Sequence, residues 1–243
     1  MKFAKRLDKI SASPTMAVMQ EAQKLRSQGL DIIDLGPGEP DFATPQSIKE
    51  EGIKAIQEDF TKYTASAGIQ ELRQAVADQY NLQWGSKFSV ENVVISCGAK
   101  HSIFNVCMAI FEEGDEVLLP APYWVTFPEV IKMTGASPRE FMISEENDFI
   151  LGCRDVEERF ESNTKGLIVT TPNNPTGAVI PGPMLEKLVS LSRSHRVFTL
   201  FDECYDFFVY GEKPYVSAAS FLDPSDDFFA IFGSVSKKYS MTG

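Results

Sequence analysis

Phe228-Phe229-Ala230-Ile231-Phe232-Gly233-Ser234-Val235-Ser236-Lys237 passes from an apolar, aromatic-rich run directly into small residues and a lysine. The apolar part reads as a buried strand, and Gly233 punctuates its end. Lys237 then stands just past the carboxyl end of that strand. An uncharged lysine amine in such a place can attack a carbonyl and form a Schiff base. A lysine in a loop also reads as a solvated charge, so the decision rests on what the other strand ends carry.

Three further stretches repeat the pattern of an apolar run ending in polar residues. Leu167-Ile168-Val169-Thr170-Thr171-Pro172-Asn173-Asn174-Pro175-Thr176-Gly177 reads as a buried strand running into a stiff turn. The residue before each proline is biased away from helix, so Thr171 and Asn174 are expected to be extended, with the Asn174 amide presented at the strand's end. Asn, Pro and Gly also make plain turns. Val197-Phe198-Thr199-Leu200-Phe201-Asp202-Glu203-Cys204-Tyr205 puts the Asp202 carboxylate directly behind a buried run. That carboxylate suits a cationic nitrogen, or equally a helix N-cap. Asn92-Val93-Val94-Ile95-Ser96-Cys97-Gly98-Ala99-Lys100-His101 reads as a strand turning through Gly98 into a helix with apolar positions Ile103, Val106, Cys107, Ile110 and Phe111. A helix N-terminus beside a glycine offers unpaired N–H groups to an anion such as phosphate, although every strand-to-helix turn has something of this.

Around these stretches the chain alternates strand and helix. Helices are expected at Thr15 to Gln28, Gln46 to Glu58, Ile69 to Trp84, after Trp124, at Val156 to Glu161, and at Met184 to Ser194 behind Pro183. Strands are expected at Ile32 to Leu35, Val93 to Ser96, Glu116 to Leu119 and Ser137 to Ile143. Such alternation predicts an α/β fold, a mostly parallel sheet covered on both faces. Open parallel sheets bind ligands beyond the carboxyl ends of their strands. A phosphate nest, an Asn amide, a carboxylate and a lysine on one such edge together suit pyridoxal 5'-phosphate: the lysine holds the aldehyde, Asp202 the pyridinium nitrogen and the helix end the phosphate.

These residues resemble the class I and II aminotransferases of the aspartate aminotransferase fold type, and most of all their bacterial aspartate aminotransferase branch. The resemblance runs from about Leu7 to Gly243. It is carried by Leu35-Gly36-Pro37-Gly38-Glu39-Pro40-Asp41-Phe42, Lys62-Tyr63-Thr64-Ala65-Ser66-Ala67-Gly68, Ala121-Pro122-Tyr123-Trp124-Val125, the Pro-Asn-Asn-Pro-Thr-Gly turn, Asp202-Glu203-Cys204-Tyr205 and Ser234-Val235-Ser236-Lys237.

The resemblance implies a three-layer α/β/α large domain of the pyridoxal-phosphate-dependent transferase kind. Residues 1–40 would form an arm belonging with a small domain or a dimer partner, and 41–243 the cofactor domain. It implies amino-group transfer between an amino acid and a 2-oxo acid. Lys237, rather than Lys238, would bind the cofactor aldehyde and later move the substrate proton. Asp202 would keep the ring nitrogen protonated, and Asn174 and Tyr205 would reach the ring hydroxyl oxygen. Trp124 would stack on the ring. Gly98, Ala99 and Lys100 would form the phosphate loop, with Ser234 and Ser236 flanking the lysine near the phosphate. Tyr63 would reach the cofactor of the partner subunit, which implies a homodimer with a shared active site. Gly38 would lie on the substrate side, as Trp124 and Asn174 also would. In the family the lysine motif continues to an arginine that pairs with the phosphate, and a small domain follows carrying the arginine for the substrate α-carboxylate. Gly243 comes before both, so the chain reads as a fragment or truncated relative with doubtful turnover by itself. A C–S lyase or other amino-acid chemistry on the same fold, and a non-catalytic dimerising fragment, are the alternatives.

Composition excludes more than it assigns. Among 243 residues, 23 basic against 34 acidic side chains give a net charge of −11, which opposes binding to nucleic acid or to an anionic membrane. The cysteines Cys97, Cys107, Cys153 and Cys204 form no C-x-x-C pair, and with only His101 and His195 beside them no metal site is expected. No G-x-G-x-x-G follows a strand, which disfavours a nicotinamide-binding domain. The N-terminal Met1-Lys2-Phe3-Ala4-Lys5-Arg6-Leu7-Asp8 lacks an apolar signal core, and no run reaches the length of a membrane span, so a cytoplasmic location is expected.

Overall fold

The computed structural model describes residues 3–11, 14–36, 38–211 and 214–243. Pro37 of the glycine loop, and Met1, Lys2, Ala12 and Ser13 of the N-terminal arm, lie outside the described residues. The element order is α1 (Pro14–Ser27), α2 (Gln46–Gln57), α3 (Gln70–Trp84), α4 (Ala99–Ile110), β1 (Glu116–Ala121), α5 (Thr126–Thr134), β2 (Ser137–Met142), α6 (Cys153–Glu157), β3 (Thr164–Thr170), α7 (Gly182–His195), β4 (Phe198–Asp202), β5 (Phe229–Phe232) and α8 (Val235–Lys238). The strands form a five-stranded sheet in the order β2-β1-β3-β4-β5, and every pairing is parallel.

Strand alternation divides the core in two. Leu118, Leu167, Val169 and Phe201 point to one face and pack with Leu151 and Val156 and with Leu185, Leu188 and Val189 of α7. Val117, Leu119, Ile168 and Leu200 point to the other and pack with Ile103 and Cys107 of α4 and Phe127, Val130 and Ile131 of α5. Both faces are therefore covered, as near-continuous apolar strands require. Each fully buried Leu, Ile or Phe stabilises the fold by about 1.5–3 kcal/mol. Gly166 is a glycine for steric reasons: a Cβ there would lie 2.5 Å from the Phe111 ring at the end of α4.

The expected strand at Ile32 to Leu35 is irregular, and Ile33 and Leu35 are exposed. Val93 to Ser96 is extended but joins no sheet; its tie is Ile95 N–H to the Ala67 carbonyl at 2.9 Å. A β-branched run has strand propensity, but a strand also needs a neighbour, and among the described residues neither run has one. α6 begins earlier than expected because the Asp155 carboxylate accepts the Gly152 N–H at 3.0 Å, and it stops at Glu157 rather than Glu161. α7 takes Pro183 into its first turn instead of starting behind it, where proline's missing N–H has no cost.

Candidate active site

The strand order β2-β1-β3-β4-β5 reverses direction between β1 and β3, and such a switch point opens a crevice at the carboxyl ends. Register lines up the ends that matter. Thr170 pairs with Asp202 and Asp202 with Phe232. The turn at 171–177, the Asp202 side chain and the Gly233-to-Lys237 segment thus leave the sheet side by side.

The Pro-Asn-Asn-Pro-Thr-Gly turn is held by Asn173. Its Oδ1 accepts the Thr176 N–H at 3.2 Å and the Thr176 hydroxyl at 3.1 Å, and its amide donates to the Pro122 carbonyl behind β1 at 3.4 Å. Its backbone receives Gly177 and donates to Ala178. Asn174 takes no part in these bonds and is half-buried. The sequence pointed to Asn174 and missed the structural role of Asn173.

Asp202 is 6% exposed and accepts the Cys204 N–H at 3.2 Å. Burial pushes its carboxyl above the ordinary range, opposed by the Cys204 thiol and N–H. Among the described residues no cationic side chain forms an ion pair with it. A buried carboxylate in that state favours an incoming positive charge.

Tyr205 is half-buried, and burial raises its hydroxyl's pKa. A Cβ on Gly38 would lie 3.0 Å from its oxygen, so the glycine loop lies against the tyrosine. The same loop is tied to the lysine segment by a short hydrogen bond from Thr242 to Glu39 and by Thr44 donating to the Ser240 carbonyl at 2.6 Å.

Ser234 caps α8, its hydroxyl accepting the Ser236 N–H at 3.0 Å. Lys237 follows, half-buried and without an ion pair among the described residues. Its charge acts on the Cys204 thiol, lowering a pKa that burial and the carboxylates of Asp202 and Asp206 push up. Lys237 is therefore within electrostatic reach of Cys204, just past the end of β4.

The strand-to-helix turn at 96–99 has Gly98 at φ +79°, a conformation glycine adopts at no steric cost. The Cys97 N–H donates to His101 Nδ1 at 3.2 Å, so His101, unassigned from the sequence, braces this turn. Ala99 opens α4, and the Lys100 ammonium lies 4.9 Å from the centre of the Trp124 ring, joining the turn to the aromatic platform. Trp124 meets Phe127 edge-on at 5.5 Å. Tyr63 joins none of these groups; its side chain stands fully in solvent.

The sequence assigned no role to Glu203. It is 2% exposed, accepting the Ser217 hydroxyl at 2.6 Å and the Ala218 N–H at 2.7 Å. Burial raises its pKa to about 7 against the lowering effect of Ser217, Ala218 and Tyr215. No local signal could have found partners so far along the chain.

Among the described residues no cluster of His, Cys, Asp and Glu is arranged to hold a metal, and no helix is long and apolar enough to cross a membrane.

Residues 30–243 match the family described as aminotransferase class I and II. The chain is 44% identical over 241 residues to the probable aspartate/prephenate aminotransferase of Aquifex aeolicus, covering 99% of this chain and 61% of that protein. It is 35% identical to the aspartate aminotransferase of Bacillus subtilis, covering all of this chain and 62% of that one. The solved aspartate aminotransferase from Thermus thermophilus with maleate superposes with a TM-score of 0.94 at 34% identity, over 100% of this chain and 63% of that structure. The chain thus spans a little over three fifths of the length of these relatives, and within that span it belongs to the class I and II aminotransferases.

Proposed function

We propose that the protein of which this chain carries the cofactor domain transfers an amino group between an amino acid and a 2-oxo acid with pyridoxal 5'-phosphate. The observation that carries this reading is the aligned row of strand ends. It brings a buried carboxylate, without a cationic partner among the described residues, to the same sheet edge as the segment that carries the half-buried Lys237. The residues suit the cofactor's groups: a carboxylate for a pyridinium, an amine for an aldehyde, and a positive-φ glycine opening a 12-residue helix for a phosphate.

When bound, the protonated ring supplies a sink for the electron pair released at the substrate Cα. Asp202 holds the proton on the ring nitrogen, since opposite charge in close contact favours the charged form. Lys237 Nζ would hold the cofactor aldehyde and, as a free amine, would take the proton from the substrate Cα as general base. Asn174 and Tyr205 would hold the ring through its hydroxyl oxygen, and Trp124 would supply an aromatic surface for it. Gly98, Ala99, Lys100, Ser234 and Ser236 would bind the phosphate. Gly38 lines the substrate side, where a bare backbone leaves room.

The protein acts as a homodimer. Tyr63 is displayed in solvent, suited to reach the partner's cofactor phosphate, and residues 1–40 serve as an arm toward a small domain or that partner. The free cysteines support a reducing compartment, the cytoplasm. The names of the relatives, aspartate/prephenate and aspartate aminotransferase, support a dicarboxylic amino acid as donor.

The test is a stoichiometric assay of the full-length protein loaded with cofactor. Amino acid and 2-oxo acid disappear in step, and Lys237→Ala lowers turnover by at least about 10³-fold. Loss of the amino acid without consumption of a 2-oxo acid contradicts transfer and favours lyase chemistry.

A further inference from the structure

The lysine turn carries a second amine directly beside the first, and the proposed chemistry uses only one. The structure treats the pair unequally. Lys238 Nζ lies 3.7 Å from Asp206 Oδ2, with the two side chains only 14% and 22% exposed. The same ammonium lies 5.3 Å from the centre of the Phe207 ring. Lys237 has neither kind of partner among the described residues, and its charge acts on the Cys204 thiol. Successive side chains on a helical turn diverge by about 100°, so Lys237 does not share the direction in which Lys238 meets Asp206 and Phe207. Asp206 is fixed there because its N–H donates to the Glu203 carbonyl at 3.0 Å.

We propose that Asp206 is a specificity-determining residue of the cofactor site: it holds Lys238 in an ion pair away from the crevice and so commits the aldehyde to Lys237. This rests on the cofactor reading above. The competing reaction is simple. An amine nitrogen adds to the aldehyde carbon, a carbon–nitrogen double bond forms, and the aldehyde oxygen leaves as water with two protons, with no oxidation or reduction. Either lysine has the chain length for it. An amine engaged with a carboxylate and an aromatic face must first give up both contacts. Partial burial of the pair makes that harder than for a surface ion pair.

The experiment uses the full-length protein with one equivalent of pyridoxal phosphate. Borohydride reduces the bond formed, and digestion by a protease that does not cut at lysine, followed by mass mapping, locates the label. Wild type carries it on Lys237. Lys237→Ala leaves Lys238 nearly unlabelled, and adding Asp206→Asn raises label on Lys238 by about fivefold or more. Asp206→Ser serves the same purpose should the Asn variant fail to fold, as judged by circular dichroism. Asp206→Glu, which keeps the charge, leaves Lys238 as unreactive as with Asp206. Equal labelling of Lys238 with and without the Asp206 carboxylate, while wild type labels on Lys237, overturns this inference alone. Wild type with no label on either lysine overturns the cofactor reading, and this inference with it.

Discussion

Asp202 and Glu203 are consecutive, both carboxylates, both almost wholly buried, and they sit on opposite sides of the end of β4 in opposite circumstances. On one side, Glu203 is fully engaged by the protein, with the Ser217 hydroxyl and the Ala218 N–H on its oxygens. On the other, Asp202 receives the Cys204 N–H and has no cationic partner among the described residues. A carboxylate satisfied by its own fold is a structural fastener. A carboxylate buried without its counter-charge is kept for something that arrives. The same contrast recurs between Lys238, clipped to Asp206, and Lys237, which has no ion pair among the described residues. At both places the group expected to do the chemistry is the one the protein leaves unpaired.

The comparison breaks most visibly if the two carboxylates are exchanged in effect by mutation. Asp202→Asn is expected to lower turnover of the cofactor-loaded full-length protein by about 10²–10³-fold. The unloaded protein should lose no stability in urea, because an unpaired buried charge is removed. Glu203→Ala is expected to do the reverse. It leaves the Ser217 hydroxyl and the Ala218 N–H without their acceptor, a loss of about 2–4 kcal/mol in urea denaturation.

Proton linkage sharpens the contrast. The folded-state pKa of Glu203, about 7, lies above the ordinary glutamate value of 4.5. Between those values the folded protein keeps a proton that the unfolded chain has lost. The associated stability is therefore fully present below pH 4.5 and is lost as pH rises through about 7. The total is on the order of 3 kcal/mol. Glu203→Gln should flatten this slope in denaturation curves taken across that interval, while Asp202→Asn leaves the Glu203 part of it in place.

The smallest expected effect is at the substrate side. Gly38→Ala places a methyl 3.0 Å from the Tyr205 oxygen. The shift this requires should cost about 1 kcal/mol in substrate binding, roughly fivefold in KM, with stability nearly unchanged.

Much of this arrangement was legible in the sequence, and the reason is periodicity. Apolar runs ending in polar residues mark strand ends, and in a parallel sheet all such ends share one edge. Hence the pattern of the sequence alone groups Asn174, Asp202 and Lys237. Contacts between distant segments were not legible. Glu203 finds Ser217 and Ala218 across a loop, and nothing local announces that. Asn173 and Asn174 are alike as letters, but only geometry shows that the first ties the turn to Pro122. His101 likewise braces the Cys97 N–H from within the helix that follows. Val93 to Ser96 failed as a strand because propensity describes one chain segment, whereas pairing belongs to two. Tyr63, a predicted site residue, is fully exposed.

The central claim is that Lys237 and Asp202 together form a pyridoxal phosphate site, and its most direct measurement is a visible absorption titration. Cofactor is added to the full-length wild-type protein, to Lys237→Ala and to Asp202→Asn, each confirmed as folded. Such a site gives a bound-aldehyde band in wild type, no such band in Lys237→Ala, and a weaker affinity with an altered pH response of the band in Asp202→Asn. A band of the same position and strength in wild type and Lys237→Ala would contradict it.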